Sequence, residues 1–112
     1  MELKLSFQKL DKALVITLDG EFDLHTAEKF KKRVGNKIAA GNTRIILDLG
    51  GVEFIDSSGL GAILSKYKKL DKMNGKLIVT NVTPQVKRIF EVSGILRIID
   101  IYSSQKEALD NI

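Results

Sequence analysis

At 112 residues and 12.5 kDa the chain has the length of one domain built around one core. Hydrophobic residues make up 44% and charged residues 29%, a mixture that excludes a disordered chain and fits a folded globular one. Cysteine is absent, which excludes disulfides, zinc fingers and cysteine nucleophiles and fits a reducing compartment.

Polar and apolar residues alternate from Met1 to Phe7, where a signal peptide needs an unbroken apolar stretch. No run is long enough for a membrane span either, so the expectation is a cytoplasmic protein acting without a membrane. An enclosed pocket for a small molecule would consume much of so small an interior. Surface recognition is therefore favoured over small-molecule chemistry, and no cofactor or metal is expected.

The net charge is +4. Basic residues concentrate on two predicted helices, as Lys29, Lys31, Lys32, Arg33 and Lys37, then Lys66, Lys68, Lys69 and Lys72. Glu28 and Asp71 dilute them, and no aromatic residues are interleaved as stacking platforms. They read as solvated helix faces, without direct contact to nucleic acid.

In chain order, Leu3, Leu5 and Phe7 alternate with polar residues as a half-buried strand. A polar turn over Lys9–Lys12 leads to a second strand, Ala13–Leu18, antiparallel to the first and ended by Gly20-Glu21-Phe22-Asp23. Asp23 or Thr26 caps a helix whose apolar residues Ala27, Phe30, Val34 and Ile38 recur at helical spacing. Gly41-Asn42 breaks it. Arg44–Leu49 is more continuously apolar, as in a central strand covered on both faces, and Gly50-Gly51 is expected to turn the chain.

Val52–Ile55 leads into Asp56 and a second helix with Leu60, Ile63, Leu64, Tyr67, Leu70 and Met73 on one stripe. Asn74-Gly75 stops it. Lys76–Val82 is the next strand, and Thr83-Pro84 opens a third helix burying Val86, Ile89 and Phe90 and ending near Gly94. Leu96–Tyr102 is the last strand. Ser104-Gln105-Lys106-Glu107 forms a capping box for a short terminal helix. Strands separated by single helices imply right-handed crossovers. The predicted architecture is α/β: an open, mostly parallel sheet with an antiparallel N-terminal hairpin, five strands and four helices over residues 1–112.

One segment breaks local rules. Asp56-Ser57-Ser58-Gly59-Leu60-Gly61 sits at a helix start and places two glycines in its first turns, each costing up to about 1 kcal/mol relative to alanine. Such glycines permit a close approach to the backbone, by a neighbouring element or by a partner. The helix start also offers free N–H groups and a positive dipole end, which favour an anionic group. Two readings stand together here. Asp56 or Ser57 caps the helix while the glycines serve packing, or a serine there is functional.

Asp56-Ser57-Ser58-Gly59-Leu60-Gly61, preceded by Arg44–Leu49 and Val52–Ile55, resembles the STAS domain of bacterial anti-sigma factor antagonists. Gly20-Glu21-Phe22-Asp23 is similar to that family's segment after the second strand, and Pro84–Phe90 with Ser93-Gly94-Ile95 to its third-helix region. The resemblance spans nearly the whole chain in one register. The basic overall charge is the principal departure and lies outside these segments.

The resemblance implies a binding protein rather than an enzyme. Ser57 maps to the serine that is phosphorylated, and Ser58 to its neighbour. The kinase is the partner itself, an anti-sigma factor with a histidine-kinase-like ATPase fold. The unphosphorylated form binds it and frees the sigma factor, phosphorylation ends the binding, and a serine phosphatase restores it. The partner surface expected around Ser57 comprises Glu21, Asp23, Asp56, Ser58, Gly59, Leu60 and Gly61, with Leu64 a further candidate for its apolar centre though favoured for the core. A bulky residue at Gly59 is expected to block a partner's approach.

Two rivals are weighed against this. An esterase-like nucleophile at Ser57 lacks the G-x-S-x-G turn, and the sole histidine, His25, starts the first helix. A STAS scaffold or regulatory subunit of a signalling or transporter assembly is the alternative function, disfavoured by the bare single-domain length. A nucleotide site is weakest, since no Gly-rich phosphate loop is present.

Overall fold

The structure is a computed structural model and describes residues 2–112. Strands β1 (Leu3–Leu10) and β2 (Ala13–Phe22) form an antiparallel hairpin around Asp11 and Lys12, with Asp11 left-handed at φ 56°. Helix α1 (Leu24–Ala39), β3 (Arg44–Ile55), α2 (Ser57–Lys72), β4 (Lys76–Thr80), α3 (Pro84–Ser93), β5 (Ile101–Tyr102) and α4 (Gln105–Asn111) follow. The sheet order is β1-β2-β3-β4-β5, antiparallel at the hairpin and parallel beyond it. This is the predicted α/β architecture.

Each crossover from β2 to β5 moves one strand onward in the same direction. Right-handed connections of that kind place their helices on one face of the sheet. The main core lies there, where Ile16, Leu18, Ile45, Leu47 and Val79 meet Phe30 and Val34 of α1, Ile63 and Leu70 of α2, and Val86 and Phe90 of α3. On the opposite face, among the described residues, only α4 packs, setting Ala108 over Ala13, Val15, Ile46 and Ile78. Central strands covered on both sides lose their polar alternation, which is why Ile45-Ile46-Leu47 reads as a continuous apolar run.

Several predicted boundaries are corrected. Gly50-Gly51 does not turn the chain, because β3 runs on from Arg44 to Ile55; likewise β2 continues through Gly20 and Glu21 to Phe22. The two strands stay paired by shifting register between Thr17 and Asp19 and between Gly20 and Glu21. Gly51 lies at this irregularity because a Cβ there would come to 3.0 Å from the Leu18 carbonyl oxygen. β4 ends at Thr80 rather than Val82.

The run Leu96–Tyr102 is not one strand. Ile95–Arg97 forms a 3-10 turn that puts Ile95 and Ile99 into the core, and only Ile101 and Tyr102 pair with β4. Met73 leaves the α2 stripe as its C-cap, 43% exposed, and Ile89 is only half-buried. The α4 capping box is half-formed: the Ser104 hydroxyl accepts from the Glu107 N–H, while the Glu107 carboxylate accepts from the Ser103 hydroxyl.

Candidate partner-binding site

Parallel β2 and β3 end side by side, with Glu21 opposite Phe54 and Phe22 opposite Ile55. The α1 and α2 N-termini therefore emerge together at one edge of the sheet, the gathering of loops expected from parallel topology. Asp23 caps α1, its Oδ1 accepting from the N–H groups of His25 (2.9 Å) and Thr26 (3.1 Å). Thr26 completes a reciprocal box: its hydroxyl accepts from Asp23 N–H at 3.0 Å and donates to the Glu21 carbonyl at 2.8 Å.

Asp56 caps α2 in the same way, its Oδ1 accepting from Ser58 N–H (2.9 Å) and Gly59 N–H (3.0 Å). Its second oxygen accepts from Leu24 N–H at 3.2 Å, and its own N–H donates to the Phe22 carbonyl at 3.1 Å. The two corners are thus stitched to each other.

Asp56, not Ser57, takes the cap. Ser57 becomes the first residue of α2 and is exposed, and its hydroxyl makes no hydrogen bond among the described residues. A serine needed for capping would spend its oxygen on the backbone; here that oxygen faces solvent at the positive end of a helix. Glu21, Asp23, Asp56 and Ser58 lie half-buried around it.

The two glycines have opposite surroundings. Gly59 is buried, and a Cβ on it would meet the Phe22 carbonyl oxygen at 2.6 Å and Ile55 Cγ1 at 2.7 Å. The element that approaches it is the end of β2, so a bulky residue there would strain the fold itself. This corrects its assignment to the partner surface. Gly61 is exposed with open space where its Cβ would be. It shares a groove of about 140 Å³ with Leu60 and Leu64 on one wall and Ser93, Gly94, Ile95 and Ile98 on the other. Leu64 is half-buried on that groove rather than in the core.

Sequence reasoning missed the far wall by reading Leu96–Tyr102 as a strand. The spacing of Ile95, Ile98 and Ile99 carried a helical signal that their β-branched side chains obscured. It also missed Leu24 and Phe54, which are 67% and 47% exposed at the same sheet edge. Among the described residues no cluster of histidine, aspartate or glutamate could hold a metal ion, and no helix is long and apolar enough to cross a membrane.

An exposed serine beside a capping aspartate thus stands one turn before an apolar groove on a five-stranded α/β domain. The STAS-domain family profile matches residues 4–108, and the chain belongs to that family. It is 34% identical over 110 residues to an anti-sigma F factor antagonist of Paenibacillus polymyxa, covering 97% of this chain and 94% of that one. The fold superposes with a TM-score of 0.90 on an anti-sigma factor antagonist from Mycobacterium paratuberculosis, at 26% identity, covering 98% of this chain and 93% of that one. The phosphorylated form of the Bacillus cell fate determinant SpoIIAA matches at a TM-score of 0.75 and 28% identity, covering 96% of this chain and 98% of that one.

Proposed function

We propose that this protein is an anti-sigma factor antagonist whose binding is switched by phosphorylation of Ser57. The observation that carries this reading is the division of labour at the α2 N-terminus. Asp56 satisfies the helix, and Ser57 is left exposed with a free hydroxyl. The names of the relatives, and a solved relative in phosphorylated form, support it.

The unphosphorylated face binds an anti-sigma factor that is also the kinase, through an ATPase fold of histidine-kinase type, and so releases the sigma factor. In the transfer, Ser57 Oγ forms a bond to the γ-phosphorus of the partner's ATP, the bond to ADP breaks, and the hydroxyl proton passes to a base on the partner. The product adds about −1.5 to −2 charge at the helix start. The dipole and N–H groups tolerate it there, so the fold survives. The interface does not, because Glu21, Asp23 and Asp56 already make this edge acidic and a dianion must be desolvated or repelled. A loss of about 4 kcal/mol lowers affinity roughly a thousandfold. A serine phosphatase then resets the switch.

The test is an affinity capture from the source cells with wild type and Ser57→Asp as baits. Retention of a small ATPase of the anti-sigma kinase type by wild type alone supports the switch. Identical partners on both baits, or no such kinase on either, sinks it and favours the scaffold or transporter role.

A further inference from the structure

Beyond Ser57 the outward side of α2 continues through Gly61, Leu64, Ser65, Lys68, Lys69 and Lys72. Gly61 and Leu64 line two adjoining concavities. One is the apolar groove closed by Ile95 and Ile98. The other is an open trough of about 460 Å³ walled by Ser65, Lys68, Lys69 and Lys72. The shared walls make them one surface, and no carboxylate lines either part.

The charge of this surface is not neutralised locally. On α1 four of the five lysines and arginines have internal tasks, Lys32 being the exception among the described residues: Lys29 donates to the Leu3 carbonyl at 2.8 Å, Lys31 pairs with Glu28 at 3.5 Å, and Arg33 and Lys37 each stand 4.9 Å from the Phe7 ring centre. Lys68, Lys69 and Lys72 make no hydrogen bond or ion pair among the described residues. The resulting positive field is felt within the protein, since burial and then the charges of Lys69 and Lys31 lower the pKa of Lys66.

A recessed apolar slot that continues into a row of ammonium groups is complementary to one kind of ligand. It suits a helix with apolar side chains on one face and carboxylates along the margin. The slot is concave, so it accepts side chains from outside rather than inserting its own into a bilayer. The row lacks the interleaved aromatics that stack nucleic-acid bases.

We propose that α2 and the Ile95–Ile98 turn dock an acidic amphipathic helix of a protein partner, apolar residues between Leu64 and Ile98 and carboxylates over Lys68, Lys69 and Lys72. This deepens the antagonist reading and rests on it in one respect, that α2 faces the partner. It also supplies a reason for the switch: an acidic helix seated beside Ser57 is repelled when that residue gains a phosphate.

The test uses a labelled peptide of leucine and glutamate in helical repeat, followed by anisotropy and by amide shifts of the isotope-labelled full chain. Saturable binding is expected, with shifts confined to residues 60–72 and 93–98. Combined Lys68→Glu, Lys69→Glu and Lys72→Glu should weaken it about tenfold at unchanged melting temperature. Gly61→Leu, which fills the slot and keeps the lysines, should weaken it as well.

Scattered shifts, equal binding by the lysine variant, or equal binding of a leucine–lysine peptide overturns the proposal. So does tighter binding of single-stranded RNA or phosphatidylglycerol vesicles than of the peptide. The peptide needs no kinase, so the outcomes separate. Peptide binding without a captured kinase removes the antagonist reading alone, whereas a captured kinase without peptide binding removes this proposal alone.

Discussion

The carboxylate of Asp56 reaches across two helix starts, capping α2 through Ser58 and Gly59 while accepting from the backbone N–H of Leu24 at 3.2 Å. One side chain thereby fixes the relative position of the α1 and α2 N-termini and frees the adjacent Ser57 from any structural duty.

Removing that side chain should be costly. Asp56→Ala loses the α2 cap and the tie to Leu24, and an expected loss of about 1–2 kcal/mol follows from the capping range. Asp56→Asn keeps an acceptor oxygen for the cap and should retain most of the stability. Urea unfolding of the two variants beside wild type checks this, and equal stability of the alanine variant would show that the cap is redundant.

Ser57 should be nearly silent in the same assay. Because its hydroxyl bonds to nothing among the described residues, Ser57→Ala and Ser57→Asp are expected within about 0.5 kcal/mol of wild type. An unfolded Ser57→Asp protein would return this residue to a structural role and remove the basis of the switch.

The two glycines of α2 should respond in opposite directions to the same substitution. Gly61→Ala adds a methyl group in open space and removes the helix penalty of glycine, so a gain of up to about 1 kcal/mol is expected. Gly59→Ala drives its Cβ to 2.6 Å from the Phe22 carbonyl, where relief requires a backbone shift. Overpacking of this kind costs about 1–3 kcal/mol and should outweigh the propensity gain. Thermal melts of the pair decide the matter.

Lys66 gives a pH dependence with a definite sign. Burial lowers its pKa from 10.5, and the charges of Lys69 and Lys31 add to the effect. In the window between that lowered value and 10.5 the unfolded chain holds more of this proton, so the contribution of Lys66 to stability improves as pH rises. At neutral pH both states are charged and the folded state bears the full penalty. Lys66→Met is therefore expected to be the more stable protein near neutrality, by about 1 kcal/mol or less given the partial exposure. Its advantage should shrink towards pH 10.5, which parallel denaturant titrations would show. A constant difference would mean that the gain comes from packing alone.

Much of this molecule was legible because its signals are local. Helical spacing placed Phe30, Val34 and Ile38 on one side of α1, and all three are buried. Capping chemistry located four helix starts, at Asp23 or Thr26, at Asp56 or its neighbour, at Thr83 with its proline, and at Ser104. The loss of polar alternation in Arg44–Leu49 announced a strand covered on both faces. The site segment itself stood out because serines and glycines at a helix start contradict helix propensity.

Tertiary structure decided what local rules leave degenerate. Aspartate and serine are equally good caps, and only the meeting of the α2 start with Leu24 and Phe22 gives the role to Asp56. A glycine permits close approach without naming what approaches, and the end of β2 claims Gly59 while nothing claims Gly61. Gly50-Gly51 reads as a turn until a neighbouring strand with matching irregular register keeps it extended. The far wall of the groove depends on whether an isoleucine-rich run pairs or coils. β4 offers Lys76–Ile78 as further edge, yet only Ile101 and Tyr102 pair with it; the run before them turns Ile95 and Ile99 into the core and leaves Ile98 facing α2 across the groove.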